Sequence, residues 1–207
     1  WSAIVEQIAK PGSESEWVSV DDLARNNFSQ HPWSLSGGGA GALMASLEEA
    51  ATAQLGGFAE SIGIASVTGE DDLYLLSRNG SAERNGIVDS KPLVTGEVIR
   101  DFILDPEFDS IWVYNSNLGL RKLEDLAPRA VRLLKSYRTS ISSRKRFGVP
   151  MLERGMQWYE WQELYPSKLR TPLSIAFAEV ATHNHFVLDR GGKVFNRTAP
   201  VIKLPEG

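Results

Sequence analysis

The spacing of hydrophobic residues changes near residue 57, and the change divides the sequence into two parts. Before this point, apolar residues recur at three- and four-residue intervals, which predicts one face of a helix. This face comprises Leu43, Leu47, Ala50, Ala51 and Leu55. Gly56-Gly57 is expected to end the helix, because glycine readily adopts positive φ angles. We therefore expect a linker and helical lead-in over residues 1–57 and a separate domain over residues 58–207.

Beyond residue 57, short apolar runs bounded by turn residues predict short strands. The run that ends at Val67 is expected to turn at Thr68-Gly69 and to return through Leu73–Leu76 as a hairpin. Asn79-Gly80 and Asn85-Gly86 predict tight turns. Further predicted elements are strands containing Ile87-Val88, Leu93-Val94, Ser110–Tyr114, Leu173–Val180, Phe186–Leu188, Val194-Phe195 and Val201–Leu204, and a short helix over Glu97–Ile103.

The segment Leu123–Tyr137 has the periodicity of an amphipathic helix, with Pro128 tolerated if a new helix begins there. Its apolar residues fall on one face, and basic residues spread over the other face. The basic residues are Arg129, Arg132, Lys135 and Arg138. Because helices and strands mix without a βαβ order, the sequence predicts an α+β fold of short strands and helices.

The net charge of −4 conceals an uneven distribution of charge along the chain. Residues 1–120 contain 6 Lys and Arg against 18 Asp and Glu, whereas residues 121–207 contain 16 against 8. A basic half of this kind is what a polyanion-binding surface requires, although two solvated faces of opposite sign would give the same count. The absence of cysteine excludes disulfides and thiolate chemistry, and it fits a cytoplasmic protein. No apolar stretch reaches the length of a membrane span, so no membrane association is expected.

The motifs of common catalytic sites are missing from the sequence. There is no Pro-Pro pair for an adenine-binding methyltransferase motif, and the glycine run Gly37–Gly41 follows no buried strand and lacks the Lys-Ser/Thr of a phosphate loop. His183 and His185 could share one side of a strand, but no further metal ligand is spaced to complete a site. We expect no catalytic residues, no metal and no cofactor in this chain. Because the chain starts at Trp1 without Met, we expect it to be part of a larger protein.

An ordered series of short motifs carries a family resemblance. The motifs are Ile64–Gly69 followed by Asp71–Leu75, Pro92–Ile99, Gln157–Trp161, His185–Asp189 and Phe195–Thr198. In this order and spacing, roughly residues 33 to 205 resemble the TaqI-like specificity region of adenine-specific DNA methyltransferases. The similar proteins are single-chain restriction–modification enzymes and methyltransferases of BREX phage-exclusion systems.

The resemblance implies that this chain reads DNA while a methyltransferase domain elsewhere in the same polypeptide performs the reaction. That domain would transfer a methyl group from S-adenosylmethionine to adenine N6 after the base has been flipped. The implied partners of the chain are double-stranded DNA and the methyltransferase domain. The resemblance identifies no base-reading residues, so the candidate residues are chosen by the charge and hydrogen-bonding groups of their side chains.

The candidate DNA-binding residues are the basic side chains of the second half and two polar residues near the end. They are Arg129, Arg132, Lys135, Arg138, Arg144, Lys145, Arg146, Asn196 and Arg197. Basic side chains neutralise phosphates, whereas Asn196 and Arg197 could read base edges or could cap a strand. We expect charge reversal of Arg144, Lys145 and Arg146 to weaken DNA binding without unfolding the domain.

Two further features allow a structural interpretation beside a functional one. Trp158, Tyr159 and Trp161 are expected to be core residues rather than base-stacking surfaces, and the Thr-Gly pairs are expected to be structural turns. A non-catalytic protein-interaction or scaffold module remains an alternative function for the chain, as does a degenerate nuclease domain.

Overall fold

Short helices and strands mix along the chain without βαβ regularity, and the protein has an α+β fold, as the sequence predicts. The computed structural model describes residues 1–29, 33, 40–100, 102–170 and 173–205. The chain divides into two compact units, Trp1–Gln54 and Leu55–Gly207.

The helices are short, and most of them belong to the second unit. They are α1 (Ser2–Gln7), α2 (Ala40–Ala50), α3 (Asp71–Tyr74), α4 (Ser81–Arg84), α5 (Pro128–Ser136), α6 (Arg138–Ser142) and α7 (Pro166–Leu169). Five 3₁₀ segments among the described residues are Arg25–Phe28, Leu55–Gly57, Gly96–Val98, Leu123–Asp125 and Leu152–Arg154. None of the residues described in the first unit is buried, so α1 and α2 have no core of their own.

Strands form the framework of the second unit. They are β1 (Ser61–Gly63), β2 (Ser66–Val67), β3 (Leu75–Ser77), β4 (Ser90–Val94), β5 (Ile99–Arg100), β6 (Ile103–Leu104), β7 (Phe108–Ile111), β8 (Lys145–Arg146), β9 (Val149–Pro150), β10 (Glu163–Leu164), β11 (Ser174–Phe177), β12 (Phe186–Asp189), β13 (Val194–Phe195) and β14 (Val201–Lys203).

Two four-stranded sheets and three strand pairs result. One sheet has the order β1-β14-β11-β12 and is antiparallel throughout. The other has the order β13-β4-β7-β3, in which only β13 and β4 run parallel. The remaining pairs are β2 with β10, β5 with β6, and β8 with β9.

A cluster of aromatic side chains forms the centre of the larger core, which packs α5 against the β13-β4-β7-β3 sheet. Trp161 is fully buried, and its ring makes edge-to-face contacts with Tyr74, Trp112 and Tyr114 at centroid distances of 5.3 to 6.3 Å. Edge-to-face packing of this kind stabilises a core beyond the area that it buries. A second, smaller core contains Val94 and other apolar residues from both sheets.

The predicted hairpin through Thr68-Gly69 is wrong. Asp71–Tyr74 is a helical turn instead, and β2 and β3, which flank it, pair with the distant strands β10 and β7. The Thr68 hydroxyl donates a hydrogen bond to the Asp71 carboxylate, and this bond ties the chain into the helical turn. A Thr-Gly pair followed by acidic residues therefore begins a helix here rather than closing a hairpin.

Two predicted helices also end elsewhere than expected. The lead-in helix ends at Ala50, and the pair Gly56-Gly57 lies in a separate 3₁₀ turn without positive φ. The predicted helix over Glu97–Ile103 is wrong, because only Gly96–Val98 is helical and Ile99–Leu104 contains the β5–β6 pair.

Predictions that rest on proline and on the Asn-Gly pairs are confirmed. The helix of the basic segment begins at Pro128 after a 3₁₀ turn, and Gly80 and Gly86 both have positive φ, at 81° and 64°. The C-terminal strands lie where the sequence predicts them, and no end differs from its prediction by more than three residues.

Candidate nucleic-acid interface

The start of α5 is held by a hydrogen bond to its N-cap residue. The Asp89 carboxylate accepts a hydrogen bond of 2.5 Å from the backbone N–H of Ala127, immediately before Pro128. A carboxylate at a helix N-terminus satisfies an unpaired donor and interacts favourably with the helix dipole. Ala130 and Leu134 then point into the core, and both are fully buried. Because Ala130 and Leu134 lie on the inner side of the helix, the basic residues of α5 lie on its outer side and face solvent.

Three of the predicted phosphate ligands form the outward side of α5, which we call the basic face: Arg129, Arg132 and Lys135. All three side chains are exposed. Within the part of the chain that the structure describes, no carboxylate forms a salt bridge with any of them. Their charges are therefore available to an external anion.

A shallow cleft of about 370 Å³ lies beside the basic face. Its walls are Asp72, Leu73, Leu76, Asn85 and Ile87 on one side and Arg129, Arg132, Leu133, Ser136 and Tyr137 on the other. The guanidinium, amide and hydroxyl groups offer hydrogen-bond donors to a polar group that enters the cleft, whereas the Asp72 carboxylate adds a negative charge to one wall.

Arg138 opens the short helix α6, and its side chain is exposed. Its guanidinium lies 5.4 Å from the ring centroid of Trp158, which is within the range of a cation–π interaction. The interaction orients the side chain and leaves its charge in solvent.

Arg144 is buried and serves as a structural donor. Its guanidinium donates to the backbone carbonyls of Ile141 (2.8 Å), Thr68, Trp158 (3.1 Å) and Glu160 (2.6 Å). Only 8% of the residue is exposed. The prediction that Arg144 contacts phosphates is therefore corrected, because its hydrogen-bonding capacity is used inside the protein.

Lys145 and Arg146 form β8, and their environments differ. Lys145 is exposed, whereas Arg146 forms a salt bridge of 2.6 Å with Glu163 and donates to the hydroxyl of Tyr165 at 3.1 Å. About a quarter of the Arg146 side chain remains exposed. Of the predicted run of three basic residues, only Lys145 has its charge fully in solvent.

Asn196 has a structural role, whereas its neighbour Arg197 is exposed. The buried Asn196 side chain donates to the Asp71 carboxylate at 3.1 Å and accepts a hydrogen bond from the backbone N–H of Arg197 at 2.6 Å. Arg197 itself is exposed. The alternative in which Asn196 caps a strand end agrees with these contacts, and base reading by Asn196 is corrected.

The structural interpretation of the aromatic segment is confirmed for two of its three members. Tyr159 and Trp161 are buried in the aromatic core, and the Tyr159 hydroxyl donates to the carbonyl of Arg121 at 2.8 Å. Trp158 is half-buried at the edge of the core.

The Thr-Gly pairs are structural as well, because neither glycine leaves room for a side chain. Gly69 has a φ of 77°, and a Cβ there would lie 2.6 Å from Oε1 of Gln162. At Gly96, a Cβ would overlap with the carbonyl oxygen of Thr198, whose hydroxyl accepts a hydrogen bond from the Gly96 N–H at 3.0 Å.

The hydroxyl of Tyr74 is buried beside the Arg144 guanidinium. Burial raises the pKa of Tyr74 to about 12, and the neighbouring Arg144 guanidinium offsets part of the effect. The hydroxyl donates to the carbonyl of Tyr159 at 2.9 Å, which requires the protonated form. Tyr74 therefore stays neutral beside the buried Arg144 guanidinium.

Sequence reasoning missed two features near the basic residues. The polar lining of the cleft, including Asn85, comes from a segment far from α5 in sequence, so no local pattern could reveal it. Phe147 occupies the tip of the β8–β9 hairpin and is almost fully exposed. A Phe-Gly pair between two basic residues and a short apolar stretch was a usable signal for this turn.

Metal and membrane sites find no support in the described part of the chain. The rings of His183 and His185 lie 6.5 Å apart, and no group of three metal-ligating side chains occurs among the described residues. In the same residues, no helix has both the length and the apolarity needed to cross a bilayer. Most of the glycine run Gly37–Gly41 lies outside the described residues.

Comparison with known proteins finds similarity over the whole chain. No protein-family model matches it. The adenine-specific methyltransferase PglX of Streptomyces coelicolor is 41% identical over 213 residues, an alignment that takes in 100% of this chain. The chain spans 17% of the length of this curated relative. The chain is thus similar, from end to end, to one region of an adenine-specific methyltransferase.

Proposed function

We propose that this chain recognises a DNA sequence and holds the duplex as the specificity module of an S-adenosylmethionine-dependent adenine-N6 DNA methyltransferase. The enzyme would act in restriction–modification or phage defence in the cytoplasm. S-adenosylmethionine would bind to a methyltransferase domain of the same polypeptide, which is the second partner besides double-stranded DNA.

The observation that carries the proposal is the basic face. Arg129, Arg132 and Lys135 project from one helix, and none of them forms a salt bridge with a described carboxylate. A protein that only needed solubility would more often pair such charges along a helix face. Unpaired cations on a fixed element are suited to a repeating array of phosphates, which they bind by displacing condensed counterions.

The proposed DNA-binding set also includes four further cations, Arg138, Lys145, Arg146 and Arg197. Each retains some solvent exposure. The similarity to an adenine-specific methyltransferase supports DNA as the polyanion, because that name states a reaction on adenine. The positions of Arg144 and Asn196 support scaffold roles, so the proposal does not include them.

Fluorescence anisotropy with random-sequence duplex DNA across a salt series tests the proposal. Replacing Arg129, Arg132 and Lys135 together with Gln should remove about three phosphate contacts and reduce the steepness of log K against log salt by roughly 2.7. The matched control replaces three exposed cations elsewhere, Lys10 and Arg25 together with Arg190.

The two triple variants carry the same net charge, so they separate a binding surface from general electrostatic attraction. Equal losses of affinity in both would contradict a specific role for α5. A wild-type chain that binds no duplex at low salt would refute DNA binding by this chain and favour the protein-interaction alternative. Metal-dependent nicking of the DNA would instead favour the nuclease alternative.

A further inference from the structure

The tip of the β8–β9 hairpin carries an aromatic side chain that adds nothing to the core. Arg146 pairs with Val149 across the hairpin, so Phe147 and Gly148 form a two-residue loop. The Phe147 residue is 92% exposed. A large ring left in water gains none of the free energy that burial of an apolar side chain contributes to folding.

The backbone of Phe147 is also in an unfavourable conformation. Phe147 and Gly148 have φ angles of 49° and 83°, so both lie in the left-handed region. Two-residue loops of this kind favour Asn, Asp or Gly, because a side chain with a bulky Cβ substituent is strained there. Asn at position 147 would suit both the turn and the solvent better. Residues kept in such conformations concentrate at binding sites, where the strain serves a contact.

The base of the hairpin is held by side-chain contacts, so Phe147 projects from an anchored backbone. Arg146 is bound to Glu163 at 2.6 Å and to Tyr165 at 3.1 Å. On the neighbouring residue, the Lys145 carbonyl accepts a hydrogen bond of 3.0 Å from the side-chain amide of Gln162. A contact group that is supported in this way loses little conformational entropy when it binds.

The charges around the ring indicate what it contacts. The Arg146 guanidinium lies 5.3 Å from the centroid of the Phe147 ring, and the Lys145 ammonium is exposed. Proteins that unstack DNA insert an apolar side chain between base steps while adjacent cations hold the phosphates. Building on the proposed function, we propose that Phe147 inserts between stacked bases of the bound duplex, with Lys145 on a neighbouring phosphate.

The chain supplies a matched control in its β5–β6 hairpin. Phe102 is 87% exposed and has a φ of 69°, and it lies in the loop between β5 and β6, directly before β6. Its sequence neighbours are mainly acidic, with Asp101, Asp105 and Glu107 against Arg100, and the acidic groups would repel phosphates. Phe102 thus matches Phe147 in residue type, exposure and backbone conformation but not in charge.

The test compares an intact duplex with one that carries a central abasic site, in anisotropy titrations with the 207-residue chain. An abasic site removes the cost of unstacking, so an inserting ring should make the wild type bind this duplex more tightly. Phe147→Ala should weaken binding to the abasic duplex by about five- to a hundredfold and bring the ratio of the two affinities close to one. Phe147→Trp should keep the preference, and Phe102→Ala should leave it unchanged.

The outcomes separate this inference from the proposed function. A wild type that binds both duplexes equally, and that Phe147→Ala does not weaken, would overturn the insertion while leaving DNA binding intact. If Phe102→Ala also lost the preference for the abasic duplex, the insertion of Phe147 would be overturned, since the preference would then not depend on the basic residues around the ring. A wild type that binds neither duplex would overturn both proposals. Thermal melting of each variant verifies that it is folded.

Discussion

Replacing Arg144 with Met should destabilise the fold and leave the DNA-binding surface in place. The substitution keeps an apolar stem of similar length but removes every donor of the guanidinium. Four backbone carbonyls then lose a partner, those of Ile141, Thr68, Trp158 and Glu160. The variant therefore measures the structural role without creating a large cavity.

The burial of the four acceptors sets the magnitude. The hydrogen bonds to Ile141 and Thr68 are buried, whereas those to Trp158 and Glu160 are only partly buried. Water can reach the latter two, and the Thr68 carbonyl keeps a hydrogen bond of 3.3 Å from the backbone N–H of Gln162. The main cost is therefore the buried Ile141 acceptor left unpaired, at about 1 to 3 kcal/mol, together with the lost charge-assisted hydrogen bond to Thr68, at about 1.5 to 3 kcal/mol. We expect the free energy of unfolding to fall by about 3 to 5 kcal/mol, a large part of the stability of an ordinary domain.

Urea-induced unfolding, followed by tryptophan fluorescence, measures this loss, and Lys145→Met is the matched control. Lys145 is the next residue and is exposed, so its replacement should change the unfolding free energy by less than about 0.5 kcal/mol. If Arg144→Met kept wild-type stability and lost DNA affinity, the assignment of Arg144 to the scaffold would be refuted. The same contacts predict that charge reversal across Arg144–Arg146 also destabilises the fold, contrary to the expectation from the sequence.

Three further predictions concern the fold. Gly96→Ala should cost about 1 to 3 kcal/mol in urea unfolding because its Cβ would overlap with the Thr198 carbonyl, whereas Gly56→Ala, with open space around it, should be close to neutral. Between pH 10 and 12 the contribution of Tyr74 to the unfolding free energy should fall by about 3 kcal/mol, because the unfolded chain loses the Tyr74 proton near pH 10 and the folded chain holds it to about 12. Burial also raises the pKa of Tyr114, so urea titrations at pH 9, 10 and 11 compare the wild type with Tyr74→Phe, and equal slopes in the two proteins would contradict the burial of Tyr74. Asp89→Asn should lower the melting temperature by weakening the helix cap and its arginine salt bridge, at about 1 to 3 kcal/mol, and an unchanged melting curve would contradict that role.

The parts of the fold that could be predicted are those with local causes. The helix start at Pro128 follows from the fixed φ of proline, and the buried positions of α5 follow from its period. The pairing of β2 with β10 joins Val67 to Glu163, and no local pattern contains that information. The predicted hairpin through Thr68-Gly69 is wrong for this reason, because β2 and β3 are adjacent in sequence but each pairs with a strand that is distant in sequence.

The candidate site shows the same division between local and distant causes. The exposure of Arg129, Arg132 and Lys135 follows from the helical phase. Arg144 and Lys145 carry the same charge in the sequence, but neighbouring side chains in extended chain point to opposite sides. A run of three basic residues entering a strand therefore cannot present all of its charges to one ligand. The acceptors that hold Arg144 come from three separated segments, so its burial is a property of the folded protein alone.

This separation of roles determines how stability and DNA affinity should vary together. A substitution in the scaffold weakens binding only by reducing the folded fraction, since the apparent affinity scales with the population of the competent state. If Arg144→Met left a stability of about 2 kcal/mol, roughly 3% of the chain would be unfolded, too little to change the affinity measurably. A phosphate ligand such as Lys145 should do the opposite, lowering affinity and the salt slope at constant stability. Binding and unfolding data on these two neighbours would thus distinguish a structural arginine from a DNA-binding lysine without any structure of the complex.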